Sequence, residues 1–279
     1  MVLEITKKDF DAAVPAAREP KGGIFGVMQD SIARNVELIA VDILGTPGTD
    51  TVEHGEDSTA IMLRLVVKRL ACVSAFVDNM RSMDLVLTST GFGVVSTQDT
   101  TPASKMRVDA LEEELRRKVR LLRSDLIQYL FGVKGWDNTP QRKICVTTLF
   151  YHFDMLEKYA GISNPKPEEW DHNVPMMLAS DAFLRKHIGQ SYMDELLKQQ
   201  TSGSLSTENF PVAVLCQQFI GAWIAQNQRL RETLYARLIN TLETDLKKYP
   251  TYAQGEGYRL NHFTPYENHA EDSAFHFVG

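Results

Sequence analysis

Residues 108–129 read VDALEEELRRKVRLLRSDLIQY, and this stretch decides the fold class. Val108, Leu111, Leu115, Val119, Leu122, Leu126 and Tyr129 recur at helical spacing, so they form one apolar stripe. The other face carries Glu112–Arg116, Glu113–Arg117 and Glu114–Lys118. These acid-first i,i+4 pairs can each add about 0.2–0.5 kcal/mol. Thr101-Pro102 reads as a cap followed by proline in the first turn, so a helix is expected over 102–131. A face this charged is either solvated or meets the charges of a partner.

Toward the N-terminus, Ser58 can cap a helix reaching about Met83. Its apolar residues (Ile61, Met62, Leu65, Val66, Leu70, Val73, Phe76, Val77, Met80) cover most of the circumference, as in a helix buried by several neighbours. Between these helices, β-branched residues around Gly91-Phe-Gly93 point to a short hairpin or an extended loop. Met28, Ile32, Val36, Ile39 and Ile43 predict a helix over 28–43. Gly45-Thr-Pro-Gly48 ends it and leaves 45–57 as a polar loop. Residues 1–27, punctuated by Pro15, Pro20, Gly22, Gly23 and Gly26, read as an arm.

Toward the C-terminus, Thr139-Pro140 opens a helix expected to run to Tyr159, with Gly161 as its stop. Residues 162–174 read as a loop, followed by helices near 175–188 and 190–200 divided by Gly189. Residues 201–206 form a linker. From Phe210-Pro211 one helix can continue to Lys248, roughly 57 Å at 1.5 Å per residue. Its first half is apolar (Val212, Leu215, Phe219, Trp223). Its second half carries Leu230, Leu234, Leu238, Leu242 and Leu246 among charges. That half is either a protruding, partner-packing surface or an intramolecular bundle helix. Residues 251–279 have no helical period but hold Tyr252, Tyr258, Phe263, Tyr266, Phe275 and Phe277. Aromatic residues favour burial, so this tail is expected to dock in extended form on its own core or on a neighbouring subunit.

The expected architecture is therefore mainly α. It is a long-helix bundle with a small β-hairpin or extended insertion and extended N- and C-terminal arms. The boundaries are an arm at 1–27, a bundle at 28–250 with possible halves 28–135 and 136–250, and a tail at 251–279. Candidate interaction residues are Leu230, Leu234, Leu238, Leu242, Tyr266, Phe275 and Phe277.

The chain has 279 residues, 43% hydrophobic and 24% charged, which excludes a wholly disordered, collagen-like or disulfide-scaffold protein. A net charge of −6 is poorly suited to wrapping nucleic acid, which demands many cationic contacts. Cys72, Cys145 and Cys216 sit singly in apolar runs and read as core thiols of a reducing compartment. The charged first residues do not make a signal peptide. The most apolar window, 60–77, contains Arg64, Lys68 and Arg69, so no membrane span is expected. Neither glycine cluster has phosphate-loop spacing, and neither His152 nor His187 has a second histidine one turn on. His262, His269 and His276 fall seven apart in a stretch without helical period, an interval that builds no common face. No catalytic, metal or cofactor residue is assigned, and the chain is expected not to be an enzyme. Composition and periodicity alone specify no activity.

Two stretches carry a resemblance. One is Leu87-Thr-Ser-Thr-Gly-Phe-Gly-Val-Val-Ser-Thr-Gln-Asp-Thr-Thr-Pro-Ala-Ser-Lys-Met-Arg-Val108. The other is Asn261-His-Phe-Thr-Pro-Tyr-Glu-Asn268 with Glu271-Asp-Ser-Ala-Phe-His-Phe-Val-Gly279. Together they resemble an uncharacterised family of virion structural proteins from phages and prophages of Bacteroidetes. His276 and Val278 depart from its more aromatic ending. The resemblance implies a head–tail connector, or adaptor, forming a homo-oligomeric ring between portal and tail proteins. In that role DNA passes through the ring without sequence-specific binding, no membrane is involved, and the chain resides in the virion after assembly in the host cytoplasm. Alternatives are a tail-completion or other virion assembly protein, and a helical enzyme or host-modifying protein.

Overall fold

The computed structural model describes residues 1–17, 23–83, 85–88, 91–94 and 104–262. In chain order the elements are α1 (Lys7–Ala13), α2 (Gly23–Ile39), α3 (Gly45–His54), α4 (Ser58–Asn79), β1 (Leu85–Thr88), β2 (Gly91–Val94), α5 (Lys105–Leu130) and α6 (Pro140–Cys145). There follow α7 (Met155–Lys158), α8 (Pro167–Ile188), α9 (Gln190–Thr201), α10 (Asn209–Ile224), α11 (Gln228–Thr244), α12 (Pro250–Ala253) and α13 (Glu256–Asn261). The chain is a mainly helical bundle around one apolar core. β1 and β2 pair antiparallel, from Leu85 opposite Val94 to Thr88 opposite Gly91.

α4 is the axis of the N-terminal part: α1, α2, α3 and α5 all pack on it. Its all-round apolar composition explains why, since Leu63, Val67, Ala71 and Val73 are completely buried. Its cap is Asp57 rather than Ser58; the Asp57 carboxylate accepts the Ala60 N–H at 2.7 Å. A β-region residue with a carboxylate serves the free N–H groups better than the next residue, which is already helical.

The 1–27 arm is a correction. Thr6 and Asp9 form a reciprocal capping box that starts α1, and Phe10 is buried beside Phe25 and Phe76, at 5.7 and 6.5 Å between centroids. The apolar positions Phe10, Ala13, Val14 and Ala17 outweigh Pro15, which merely begins a short 3-10 turn. The 45–57 loop is also a correction. Gly45, at φ +60, turns the chain, and Pro47 sits in the first turn of α3, where its missing N–H costs nothing.

Between α2 and α3 the helix widens into a π turn, Ala40–Leu44. Three successive carbonyls there take donors from residues 136–145. Val41 O accepts from Gln141 Nε2 at 3.0 Å, Asp42 O from Cys145 Sγ at 3.6 Å, and Ile43 O from the Trp136 indole at 2.9 Å. Trp136 is completely buried, so its N–H requires this partner.

Four more expectations change. The 139–160 helix stops at Cys145, although Thr139 and Pro140 do start it. The irregular 146–154 segment finds backbone partners elsewhere: Phe153 N–H donates to Ser124 Oγ at 3.1 Å, and Leu149 O accepts from Gln217 Nε2 at 3.3 Å. α8 starts at Pro167 and carries Pro175 internally, which shortens the expected 162–174 loop. The long 211–248 helix is a helical hairpin. α10 ends at Ile224, Gln226 takes φ +52, and the Asn227 side chain caps α11 by accepting the Leu230 N–H at 3.0 Å. Residues 250–261 are the short helices α12 and α13 rather than an extended tail. Replacing Asn227 by Ala removes that cap and is expected to cost about 1 kcal/mol, lowering Tm by about 2–4 °C in a thermal melt.

Candidate functional site

A cleft of about 340 Å³ opens where α5, the 151–159 segment, α9 and α10 meet. Its polar wall is built around His152. Ser124 Oγ and Gln217 hold the segment's backbone against α5 and α10, which buries the ring to 8% exposure. His152 Nε2 donates to Asp125 Oδ1 at 3.1 Å, and Nδ1 lies 2.5 Å from Asp154 Oδ1 and 3.3 Å from the Asp154 N–H. The geometry favours the protonated ring, in which both nitrogens donate to carboxylates. Neutral, Nδ1 accepts the Asp154 N–H; protonated, it donates to the Asp154 carboxylate. Burial alone would lower the pKa, but the hydrogen bond and charge of Asp125, with the charge of Asp154, outweigh it and raise the pKa above the ordinary histidine value. Gln128, Lys158, Gln200 and Phe210 complete the walls. With each ring nitrogen engaged, the arrangement holds a proton between two carboxylates and ties the 146–154 segment to α5.

A raised folded pKa stabilises the chain fully below the unfolded value of about 6.5, and this stabilisation is lost as pH rises through the folded pKa. Chemical denaturation at a series of pH values should show this loss, and His152→Gln should remove that part of the profile. An unchanged profile in the variant would refute the assignment.

A second feature is the groove between the end of α4, α5 and the start of α8. Arg81 pairs with Glu112 and with Asp109 (2.7 Å), and Arg116 also reaches Glu112 at 2.8 Å. The Arg116 and Arg81 hydrogen bonds hold the Glu112 carboxyl below its usual pKa. Glu113 pairs with Lys166 at 3.1 Å, Arg120 with Asp171, and Arg117 reaches Glu157 at 3.8 Å. Of the pairs expected within α5, only Glu112–Arg116 forms among the described residues; Lys118 instead donates to Ala13 O at 2.6 Å. The charged face thus meets other parts of its own chain.

The expected interaction residues divide. Leu238 and Leu242 are completely buried and Leu234 nearly so, because α11 folds back on α10 and turns its leucine seam inward. As partner-facing residues these three are corrected: their partner is their own chain. Leu230 stays 41% exposed at the start of α11. Tyr266, Phe275 and Phe277 lie outside the described residues. Among the thiols, Cys72 is buried and its pKa is pushed up to about 12, while Cys145 is half-buried. From the sequence, His152 shows only the lack of a second histidine one turn on, and the bridge is not visible. Asp154, two residues on, was the available signal; Asp125 becomes a neighbour only through folding.

Among the described residues, no group of three His, Cys, Asp or Glu stands close enough to hold a metal ion, and no helix is long and apolar enough to cross a membrane. Residues 42–146 match DUF6712, a family of unknown function. The matched stretch closes on itself, since Asp42 O at its start accepts from Cys145 at its end. No curated protein and no solved structure matches the chain.

Proposed function

We propose that this chain is a structural protein of a phage particle: a head–tail connector, one subunit of a ring that joins the portal to the tail. The observation that carries the reading is the resemblance of residues 87–108 and 261–279 to virion structural proteins. Three features of the molecule agree with it. Long helices such as α5, about 39 Å at 1.5 Å per residue, can stand side by side around an axis. Exposed apolar side chains, among them Leu38 at the end of α2, Val41 in the π turn and Ile144 on α6, offer material for contacts between subunits. The net charge of −6 suits a channel that lets phosphates pass without gripping them.

A reconstruction of particles with the chain traced into density tests the proposal. The expected position is a ring on the particle axis between portal and tail. A chain absent from particles and from any connector-like ring overturns the reading, and a position at the distal tail end replaces it with tail completion. Deleting residues 270–279 is expected to leave the bundle folded, with an unchanged helical circular dichroism spectrum, and to lower incorporation into particles roughly tenfold or more, as when one arm of a multivalent contact is lost.

A further inference from the structure

At the open end of the α8–α10–α11 layer lies a second cavity, about 240 Å³, whose walls are mostly aromatic. Phe183 is its hub, 5.5 Å from Phe219, 5.5 Å from Trp223 and 5.7 Å from Tyr235 between ring centroids. Phe183, Trp223 and Tyr235 are only half-buried and line the cavity. Arg231 stacks over Trp223 at 4.5 Å, and beside it on the rim Gln228 Nε2 donates to Glu232 Oε1 at 2.9 Å.

The described chain ends next to this cavity. α13 approaches α8 so closely that a Cβ on Gly257 would come within 2.4 Å of the Ile188 carbonyl carbon, and Asn261 Nδ2 donates to His187 O at 3.2 Å. The His187 ring lies 4.2 Å from Phe183 and 5.6 Å from Tyr235. His262 reaches Glu243 of α11 at 3.7 Å. From Glu243 back to Tyr235 is about 12 Å along α11 at 1.5 Å per residue. Residues 263–279 can span roughly 60 Å when extended, several times that distance. They carry Phe263, Tyr266, Phe275 and Phe277, with Glu267, Glu271 and Asp272 and no Lys or Arg.

We infer that this aromatic cavity is the receptor for the chain's own segment 263–279, docked in cis. One or more of the tail's aromatic rings enters among Phe183, Trp223 and Tyr235, and the tail's carboxylates face Arg231. Aromatic rings gain from such offset and edge contacts beyond their burial. Tethering at His262 keeps the segment at millimolar effective concentration, so a contact weak between separate molecules is populated within one. The inference stands apart from the virion reading, because it concerns the free subunit.

The test uses the full chain with benzoylphenylalanine in place of Phe277, irradiated at low micromolar concentration and mapped by mass spectrometry. The expected adducts fall within 183–187, 219–223 or 228–235 of the same chain. Adducts elsewhere, or only between two chains, overturn the inference. In the chain without the photo-label, Trp223→Ala should speed chymotryptic cleavage at Phe275 and Phe277 about two- to tenfold, as expected for loss of one aromatic contact. Arg231→Glu on the half-buried rim gives the same readout if Trp223→Ala fails to fold. Parent-chain cleavage already as fast as in the isolated peptide, and unmoved by these changes, also overturns it.

Discussion

Leu238→Asp is expected to unfold the α10–α11 hairpin rather than to produce a folded subunit that cannot assemble. Leu238 has no exposed surface, and its neighbours on the seam, Leu234 and Leu242, are buried with it. Truncating such a leucine alone costs about 2–5 kcal/mol. An aspartate adds the desolvation of a carboxylate among apolar side chains, several kcal/mol more, or a protonation that costs comparably at neutral pH. Against a net stability of about 5–15 kcal/mol, that sum removes most of the fold. A thermal melt should show loss of the cooperative transition or a fall in Tm of about 10 °C or more. Leu230→Asp is the control: on the exposed first turn of α11 it should change stability by less than about 1 kcal/mol. A Leu238→Asp chain as stable as its parent but defective in assembly would show that the seam faces another subunit.

Gly221→Ala sets two effects of opposite sign against each other. Alanine raises helix propensity by about 1 kcal/mol within α10. The new Cβ would, however, lie 2.5 Å from the Tyr159 carbonyl oxygen and 2.6 Å from the Tyr159 carbonyl carbon. These are backbone atoms at the end of α7, where Tyr159 N–H is bonded to Met155 O at 2.8 Å and Gly161 turns the chain at φ +70. They cannot swing aside as the end of a long side chain would. Overpacking of this kind costs about 1–3 kcal/mol or more and wins, so the expected net loss is about 1–2 kcal/mol. Because Tyr159 also lines the His152 cleft, the displacement should alter the pH dependence described above. Denaturant unfolding checks the first effect, and its repetition across pH checks the second. A variant more stable than the parent would mean that α10 and the 155–161 segment are not in this close contact.

α4 and α5 were legible because their apolar spacing states both the element and the buried face. The same spacing misled at 211–248, where one apolar seam runs on through Ala225-Gln226-Asn227 without a glycine or proline to mark the reversal. The turn forms there because Gln226 adopts a left-handed conformation and Asn227 caps the next helix, while the reward for reversing is burial of the leucine seam on α10. At 139–160 the error has the same origin. The segment's backbone groups are satisfied by Ser124 and Gln217, residues that periodicity cannot bring near.

By itself the amino-acid sequence determined the helical class, the central role of α4, the cap-and-proline start at Thr139 and the position of the Gly189 break. These depend on side-chain spacing and local backbone preference, which act over one to a few turns. Only the tertiary structure decided that α11 folds back, that Glu113 chooses Lys166 over Arg117, and that His152 stands between Asp125 and Asp154. Each of those outcomes is a competition among partners distant in sequence, and burial of apolar surface settles which of them meet.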